Sequence, residues 1–443
     1  MRRVLADAPR HALRRLAAAA QAAALAAGAT LGVAQSASAQ TLAARIERVA
    51  NGDAVVRFAA RPGVCGDGRG MIRDGRRGIM MSRSSVTTQS VDDASGRWCV
   101  AGPVQLVVSR SGGRVTGLRT SVGAPEAPPA GATDLGTAGA HEAVAYLLSL
   151  ASAAGANVAG DAITPVVLAD SVVVWPELLR LVRDVRRPGE VRRKAVHWVG
   201  FVGSPEAAGP LDSIARAPAE ERGVREGALV ALTELTEGTG VPALLALAGP
   251  GTDSWLRGRA IFWLGQTGDA RAHAALRAMA ASAELSDDLR GEAIFVIGHG
   301  EPSTDDAAFL RRIYPTLASH TLRERALQSV ANLPGDENWR WLLGIAADPQ
   351  QPEESRRQAL FWAGQGAAPV AELVSLYRRL ADVEVREHAI FVLSPRHEST
   401  ATDALLDIAR HDADPRMRRK ALFWLGQVDD PRVATLIREM LAP

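Results

Sequence analysis

The chain repeats itself. Residues 417–427 read Met-Arg-Arg-Lys-Ala-Leu-Phe-Trp-Leu-Gly-Gln, and the same helical pattern occurs at 384–395, 355–365, 322–333, 289–299, 256–266, 224–235 and 191–200. The alanines that anchor the copies are Ala195, Ala228, Ala260, Ala293, Ala326, Ala359, Ala389 and Ala421, spaced 33, 32, 33, 33, 33, 30 and 32 residues apart. A period in that range marks a solenoid: one unit is too small to bury its apolar face alone, so units stack.

Second helical patterns fill the intervals, at 269–281, 304–317, 336–347, 368–381 and 399–411. Each unit is therefore a leading helix, a short turn and the copied helix. Pro315 lies inside a leading pattern and is expected to kink or end that helix. The consensus is Val/Leu-Arg-x-x-Ala-Leu/Ile-x-x-Leu-Gly followed by Gly-Asp or Asp-Pro turns, as at Gly268-Asp269, Asp414-Pro415 and Asp430-Pro431. The Trp, Leu-Gly and Tyr pattern of tetratricopeptide repeats and the Thr-Pro-Leu-His turn of ankyrin repeats are missing. The consensus resembles the short HEAT-like repeats, a class also found in phycobilisome lyases, and the resemblance covers roughly 175–443. It implies an all-α solenoid of about eight units whose second helices line a concave surface. The repeat is a general binding scaffold, so it implies no particular partner.

With the anchoring alanine as zero and about 100° per residue, the Val/Leu at minus four, the alanine and the Leu at plus four form the core stripe, and plus two points about 200° away. The plus-two column is His197, Val230, Phe262, Phe295, Gln328, Phe361, Phe391 and Phe423. Five of eight are Phe where a solvated face would carry Glu, Lys or Gln. Beside it, at plus six, stand Gln266, His299, Gln365, Pro395 and Gln427. A ladder of rings and amides fits a partner-binding groove, because rings supply contact area and amides supply direction. The competing reading is that neighbouring rings bury one another. Plus three alternates large and small (Trp198, Ala231, Trp263, Val296, Ser329, Trp362, Val392, Trp424) and reads as packing. Arginine stands at minus three in every copy: Arg192, Arg225, Arg257, Arg290, Arg323, Arg356, Arg386 and Arg418. Such a column ties units together, with Asp253, Asp288, Glu354, Glu384 and Asp414 as candidate acids.

The first third is different. Residues 1–39 carry Arg2, Arg3, Arg10, Arg14 and Arg15, then an Ala-rich apolar run, then Ala37-Ser38-Ala39, which reads as a Sec-type signal peptide and a periplasmic or extracellular destination. Without it the chain holds 46 basic and 48 acidic residues, so no basic excess points to nucleic acid. No later run approaches the roughly 20 apolar residues of a membrane span. Residues 40–123 read as a small β-rich domain, with strands at 54–58, 105–108 and 114–118 and a hairpin at Gly112-Gly113. It holds the only cysteines, Cys65 and Cys99, which in an exported chain most simply pair as a disulfide; two ligands do not make a metal site. Residues 124–133 are a Pro/Ala/Gly linker, 134–174 a helical cap, 175–443 the array, and 430–441 a closing half-repeat.

Gly-x-Ser-x-Gly, His-Glu-x-x-His and phosphate-loop patterns are absent, and the histidines are scattered. The expectation is a non-catalytic binding or scaffold protein of the cell envelope, without cofactor, holding a protein or peptide on the Phe/Gln ladder. Two alternatives stand beside it. One is an enzyme of unrecognised, lyase-like type with its site in the groove or at the domain interface. The other is a spacer array with binding left to the β-rich domain.

Overall fold

The computed structural model describes residues 41–74, 77–81, 86–90, 99–123, 128–428 and 430–441. The signal-like segment lies outside them, as does much of the linker. The chain divides between Val172 and Val173 into two compact units.

The first unit opens with α1 (Leu42–Glu47), followed by β1 (Gly52–Phe58). Three short strands and a fourth come next: β2 (Val64–Gly66), β3 (Met71–Asp74), β4 (Arg77–Met81) and β5 (Val86–Ser90). Then come β6 (Val104–Ser111), β7 (Arg114–Val122), β8 (Thr133–Thr137), α2 (Ala140–Ala153) and α3 (Ala156–Leu168). One sheet runs β7-β6-β1-β8, antiparallel except for β1 against β8; the other is an antiparallel β2-β3-β4-β5. The β6–β7 turn uses Gly112 and Gly113 at φ +57° and +77°, the left-handed pair that a two-residue hairpin requires. Ala54, Val55, Val56 and Phe58 of β1 and Leu106 and Val108 of β6 are buried, and α3 packs against β6 and β7. Arg110 is buried too, donating from Nη1 to the carbonyls of Ile46 (2.6 Å) and Val49 (3.0 Å) where α1 ends. Cys65 and Cys99 form a disulfide, with Cα atoms 5.2 Å apart.

Two features differ from the sequence reading. The stretch read as a helical cap begins instead with β8, which joins the first sheet beside β1. Its two helices belong to the first unit, not to the array. The strand escaped notice because it is short and interrupted by Gly136 at φ +72°.

The second unit is the array. Its leading helices are α4 (Trp175–Arg183), α6 (Ala208–Arg216), α8 (Val241–Ala248), α10 (Ala270–Ala281), α12 (Asp306–Ile313), α14 (Asp336–Ala347), α16 (Val370–Arg379) and α18 (Ser399–His411). The copied helices are α5 (Gly189–Val202), α7 (Arg222–Glu234), α9 (Ser254–Leu264), α11 (Asp287–His299), α13 (His320–Asn332), α15 (Glu353–Gln365), α17 (Val383–Leu393) and α19 (Pro415–Leu425). A last leading helix, α20 (Pro431–Leu441), follows. Helix α12 ends two residues before Pro315, and a 3-10 turn takes over at Tyr314–Thr316. All eight anchoring alanines are buried. Successive copied helices contact one another more extensively than successive leading helices do, so the copied helices form the inner layer.

The arginine column ties the units together. Seven of the eight donate to a backbone carbonyl at or just beyond the end of their own leading helix, among them Arg192 to Val182 (2.6 Å), Arg225 to Ala215 (2.8 Å) and Arg356 to Ala346 (3.0 Å). These carbonyls are helix-end acceptors without intrahelical donors. The acids differ from those expected. Four come from the turn of the next unit: Arg192 pairs with Glu220, Arg225 with Asp253 at 3.0 Å, Arg356 with Asp382 at 3.4 Å and Arg386 with Asp412 at 2.6 Å, whereas Arg290 faces Asp287 of its own helix at 3.7 Å. Of the expected acids, Asp253 serves the preceding unit's arginine, Asp414 caps α19 through the Arg416 N–H, and Glu354 faces Arg357. The guanidinium spans two units, which spacing within one unit does not reveal.

Packing between copied helices follows a rule. Where plus five is Gly, the next unit's plus three is small: Gly200 with Ala231, Gly265 with Val296, Gly298 with Ser329, Gly364 with Val392. Where plus five carries a Cβ, the next plus three is Trp: Thr233 with Trp263, Ala331 with Trp362, Ser394 with Trp424. A Cβ on Gly200 would stand 2.7 Å from the Ala231 Cα, and one on Gly364 would run into Val392 Cγ1. Three of the four glycine junctions are the most extensively packed pairs of copied helices. The fourth packs less over its length, although a Cβ on Gly265, the C-cap of α9, would also run into Val296.

Candidate functional site

The ladder residues stand on the inner layer, and the structure separates them into two kinds. The plus-six groups Gln266, His299, Gln365 and Gln427 are exposed, as is Pro395. At plus two, His197, Phe262, Phe295, Phe361 and Phe391 are half-buried, and Phe423 is 60% exposed. The rings lean on neighbours and still present an edge or face to solvent.

Their contacts follow the helix geometry. The Phe361 and Phe391 rings are parallel within 4°, with centroids 6.4 Å apart on adjacent copied helices. Phe391 meets Trp424 at 5.2 Å, and Phe423 meets the same indole at 5.2 Å, edge-on. Phe361, Phe391, Phe423 and Trp424 therefore form one continuous aromatic patch across three units. Toward the start of the array the rungs are self-contained. Phe295 stacks on His299 one turn later, at 4.0 Å and 19°. The Arg259 guanidinium lies 4.6 Å over the Phe262 ring. His197 packs against Trp198 and Phe201.

Polar groups stand beside the rings along the inner layer, and sequence reasoning missed most of them. Asn332 lies 2.6 Å from His299 Nε2 and extends the plus-six column across a unit. Glu226 accepts from Arg259 and, at 2.6 Å, from the Trp263 indole; this holds the Arg259 guanidinium above its usual pKa. Lys420 Nζ is 3.0 Å from Glu387. Both ion pairs join residues 33 positions apart, so the period itself was the signal. His388 lies beside the stacked Phe361 and Phe391 rings, with its centroid 6.5 and 5.4 Å from theirs. Burial, and then the nearby Arg357 charge, push its pKa down, so the ring is neutral near pH 7.

The larger cavities lie elsewhere. Two crevices of about 360 and 300 Å3 share Asp407 and His411 in the leading-helix layer of α16, α18 and α20. Their polar side chains are partnered among themselves: His411 Nδ1 with Asp407 at 2.9 Å, Arg432 with Asp430 at 2.7 Å and with Asp403. Among the described residues, no three His, Cys, Asp or Glu side chains come together as a metal site. Among them, too, no helix is long and apolar enough to cross a membrane.

Residues 370–443 match the family model described as HEAT repeats. No curated protein matches the sequence. Among solved structures, human deoxyhypusine hydroxylase in complex with glycerol is similar at 16% identity and a TM-score of 0.25, over 57% of this chain and 94% of that one. A phycocyanin lyase complex from Nostoc sp. is similar at 18% identity and a TM-score of 0.25, over 56% of this chain and 93% of that one. Importin beta is similar at 10% identity and a TM-score of 0.34, over 65% of this chain and 46% of that one.

Proposed function

We propose that this protein is a non-catalytic scaffold that holds a protein or peptide segment on the inner face of its HEAT-like array. We further propose that it works outside the cytoplasm, after export by the signal-like segment 1–39. The observation that carries the binding reading is Phe423, a large apolar ring 60% exposed at the head of a continuous patch with Phe361, Phe391 and Trp424. An exposed ring costs solvation unless a partner covers it, and contiguous apolar patches rimmed by polar groups are where partners dock. Gln365 and Gln427 are exposed beside the rings and supply donors and acceptors for a backbone. A burial of ring faces framed by directional amides is the composition of an interface hot spot.

The test is selection of displayed random peptides on the mature chain, with Phe423→Ser in a folded counter-target. The reading predicts peptides with a shared motif that bind wild type and fail on the variant. Equal recovery on both proteins contradicts it. Export is tested separately, by fusing residues 1–39 to a reporter active only outside the cytoplasm; silence of that reporter removes the compartment proposal.

A further inference from the structure

We propose that the occupant of the aromatic patch is an acidic peptide segment, whose carboxylates pair with Arg419 and Arg416 while an apolar side chain covers Phe423. The proposal rests on the groove reading above and adds the partner's charge. Helix α19 places the three groups together. Arg419 stands four residues before Phe423 and Arg416 seven before, about 6 and about 10 Å along the axis and within about 40° of the ring around it. Gln427, four residues after the ring, completes the stripe, and all four side chains are exposed.

Charge sets the occupant. Among the described residues neither Arg416 nor Arg419 makes a side-chain hydrogen bond or ion pair. Other cations of the inner layer are answered within the chain: Arg259 by Glu226, Arg357 by Glu353 and Glu354, and Lys420 by Glu387. The carboxylates at the start of α19 are engaged too, Asp412 by Arg386 and the Tyr377 hydroxyl, Asp414 by the Arg416 backbone N–H. Glu384, exposed on the neighbouring rung, pairs with neither arginine among the described residues. Arg418 donates to carbonyls rather than to an acid, so cations outnumber carboxylates at this end. A partner that buries Phe423 also draws Arg419 out of water, and a desolvated guanidinium needs acceptors. A carboxylate supplies two in the geometry that the guanidinium fork favours, whereas a basic segment sets like charges together. An extended chain rises about 3.3 Å per residue, so the acids fall two to three positions from the apolar anchor.

Trp424 supplies the reporter, because its indole meets both Phe391 and Phe423. The experiment records indole N–H resonances of residues 40–443 labelled with 15N-tryptophan, with Trp424 assigned through Trp424→Phe. The probe is N-acetyl-Phe-Gly-Glu-Glu-amide, beside the same peptide with Gln-Gln or Lys-Lys at its end. The expected result is saturable shifts of Trp424, with the Glu peptide at least about 5-fold tighter than the Gln peptide, as two exposed ion pairs supply, and the Lys peptide weakest. Added salt should narrow the gap. The double variant Arg416→Gln, Arg419→Gln should bring the Glu peptide down to the affinity of the Gln peptide. The Gln peptide itself should bind that variant as it binds wild type, which separates lost charge from lost folding. Equal affinity of the three peptides, or a Glu preference that survives the double variant, overturns the proposal; if that binding is still lost in Phe423→Ser, the groove reading stands without it. Binding that survives Phe423→Ser, or no binding of any peptide, overturns both. An oligothymidylate that outbinds the Glu peptide on wild type and fails on the double variant overturns the peptide assignment in favour of a phosphate backbone.

Discussion

The junction between α11 and α13 and the junction between α13 and α15 use the same helix from its two sides, and they are built oppositely. At the first, Gly298 receives Ser329, whose Oγ reaches across to the Ile294 carbonyl at 2.9 Å. The backbones meet there, and a Cβ has nowhere to go. At the second, Ala331 carries its Cβ, Trp362 fills the wider gap, and a cavity remains. A glycine junction trades side-chain contact for backbone proximity, and a tryptophan junction does the reverse. One repeat family can thus vary the spacing of its rungs, because plus three and plus five change together while position zero stays alanine in every unit.

Substitution can break that contrast. Gly298→Val should cost about 3 kcal/mol of unfolding free energy, since overpacking here pushes on the Ser329 backbone. The matching change at the other junction, Ala331→Val, should cost under about 1 kcal/mol, mostly helix propensity. Equal losses in denaturant titrations would mean that the two junctions are not different in kind. A smaller effect sharpens the rule: Gly364→Ala meets only the side chain of Val392. Alone it should cost about 1–2 kcal/mol, and combined with Val392→Ala the pair should couple favourably by about 1 kcal/mol in a double-mutant cycle. Strict additivity would remove the plus-five to plus-three pairing.

The smallest effect concerns His388, which sits in the aromatic patch at the tight α15–α17 junction. Its folded pKa lies below the usual 6.5, through burial first and the Arg357 charge second. The neutral form is the one that the fold accommodates. Its contribution is therefore full above pH 6.5 and is lost as pH falls from there toward the folded pKa, because the unfolded chain binds the proton more readily. His388→Gln should flatten this part of the stability profile. A wild-type profile that is already flat between pH 7 and 5 would contradict the assignment.

The array was legible because it is written eight times: period, anchoring alanines and the tie made by minus-three arginines all follow from columns of residues. What crosses from one unit to the next was less legible. The acids that answer Arg225 and Arg356 sit 28 and 26 residues downstream, so a search within one turn chose the wrong partners. The Glu226–Arg259 and Glu387–Lys420 rungs were hidden in columns that mix both charges with glycine and look like an ordinary solvated face. In the first unit, which has no repetition to average over, β1, β6 and β7 were readable from their β-branched runs. Strand β8 was not, because five residues with a glycine among them carry too little pattern. The exposure of the ladder was undecidable from sequence, since it depends on the rung spacing that the two junction types set.

The central claim is that the aromatic patch is the binding face. The most direct measurement is a titration of a peptide selected on residues 40–443, followed by tryptophan fluorescence, against wild type and Phe423→Ser. Trp424 touches both Phe391 and Phe423, so it reports on an occupant of the patch. The account predicts at least a 10-fold weaker Kd for the variant, the loss of about 1.4 kcal/mol or more expected of a hot-spot ring, with an unchanged melting temperature. Equal affinity for the two proteins would place binding on another face and contradict the account.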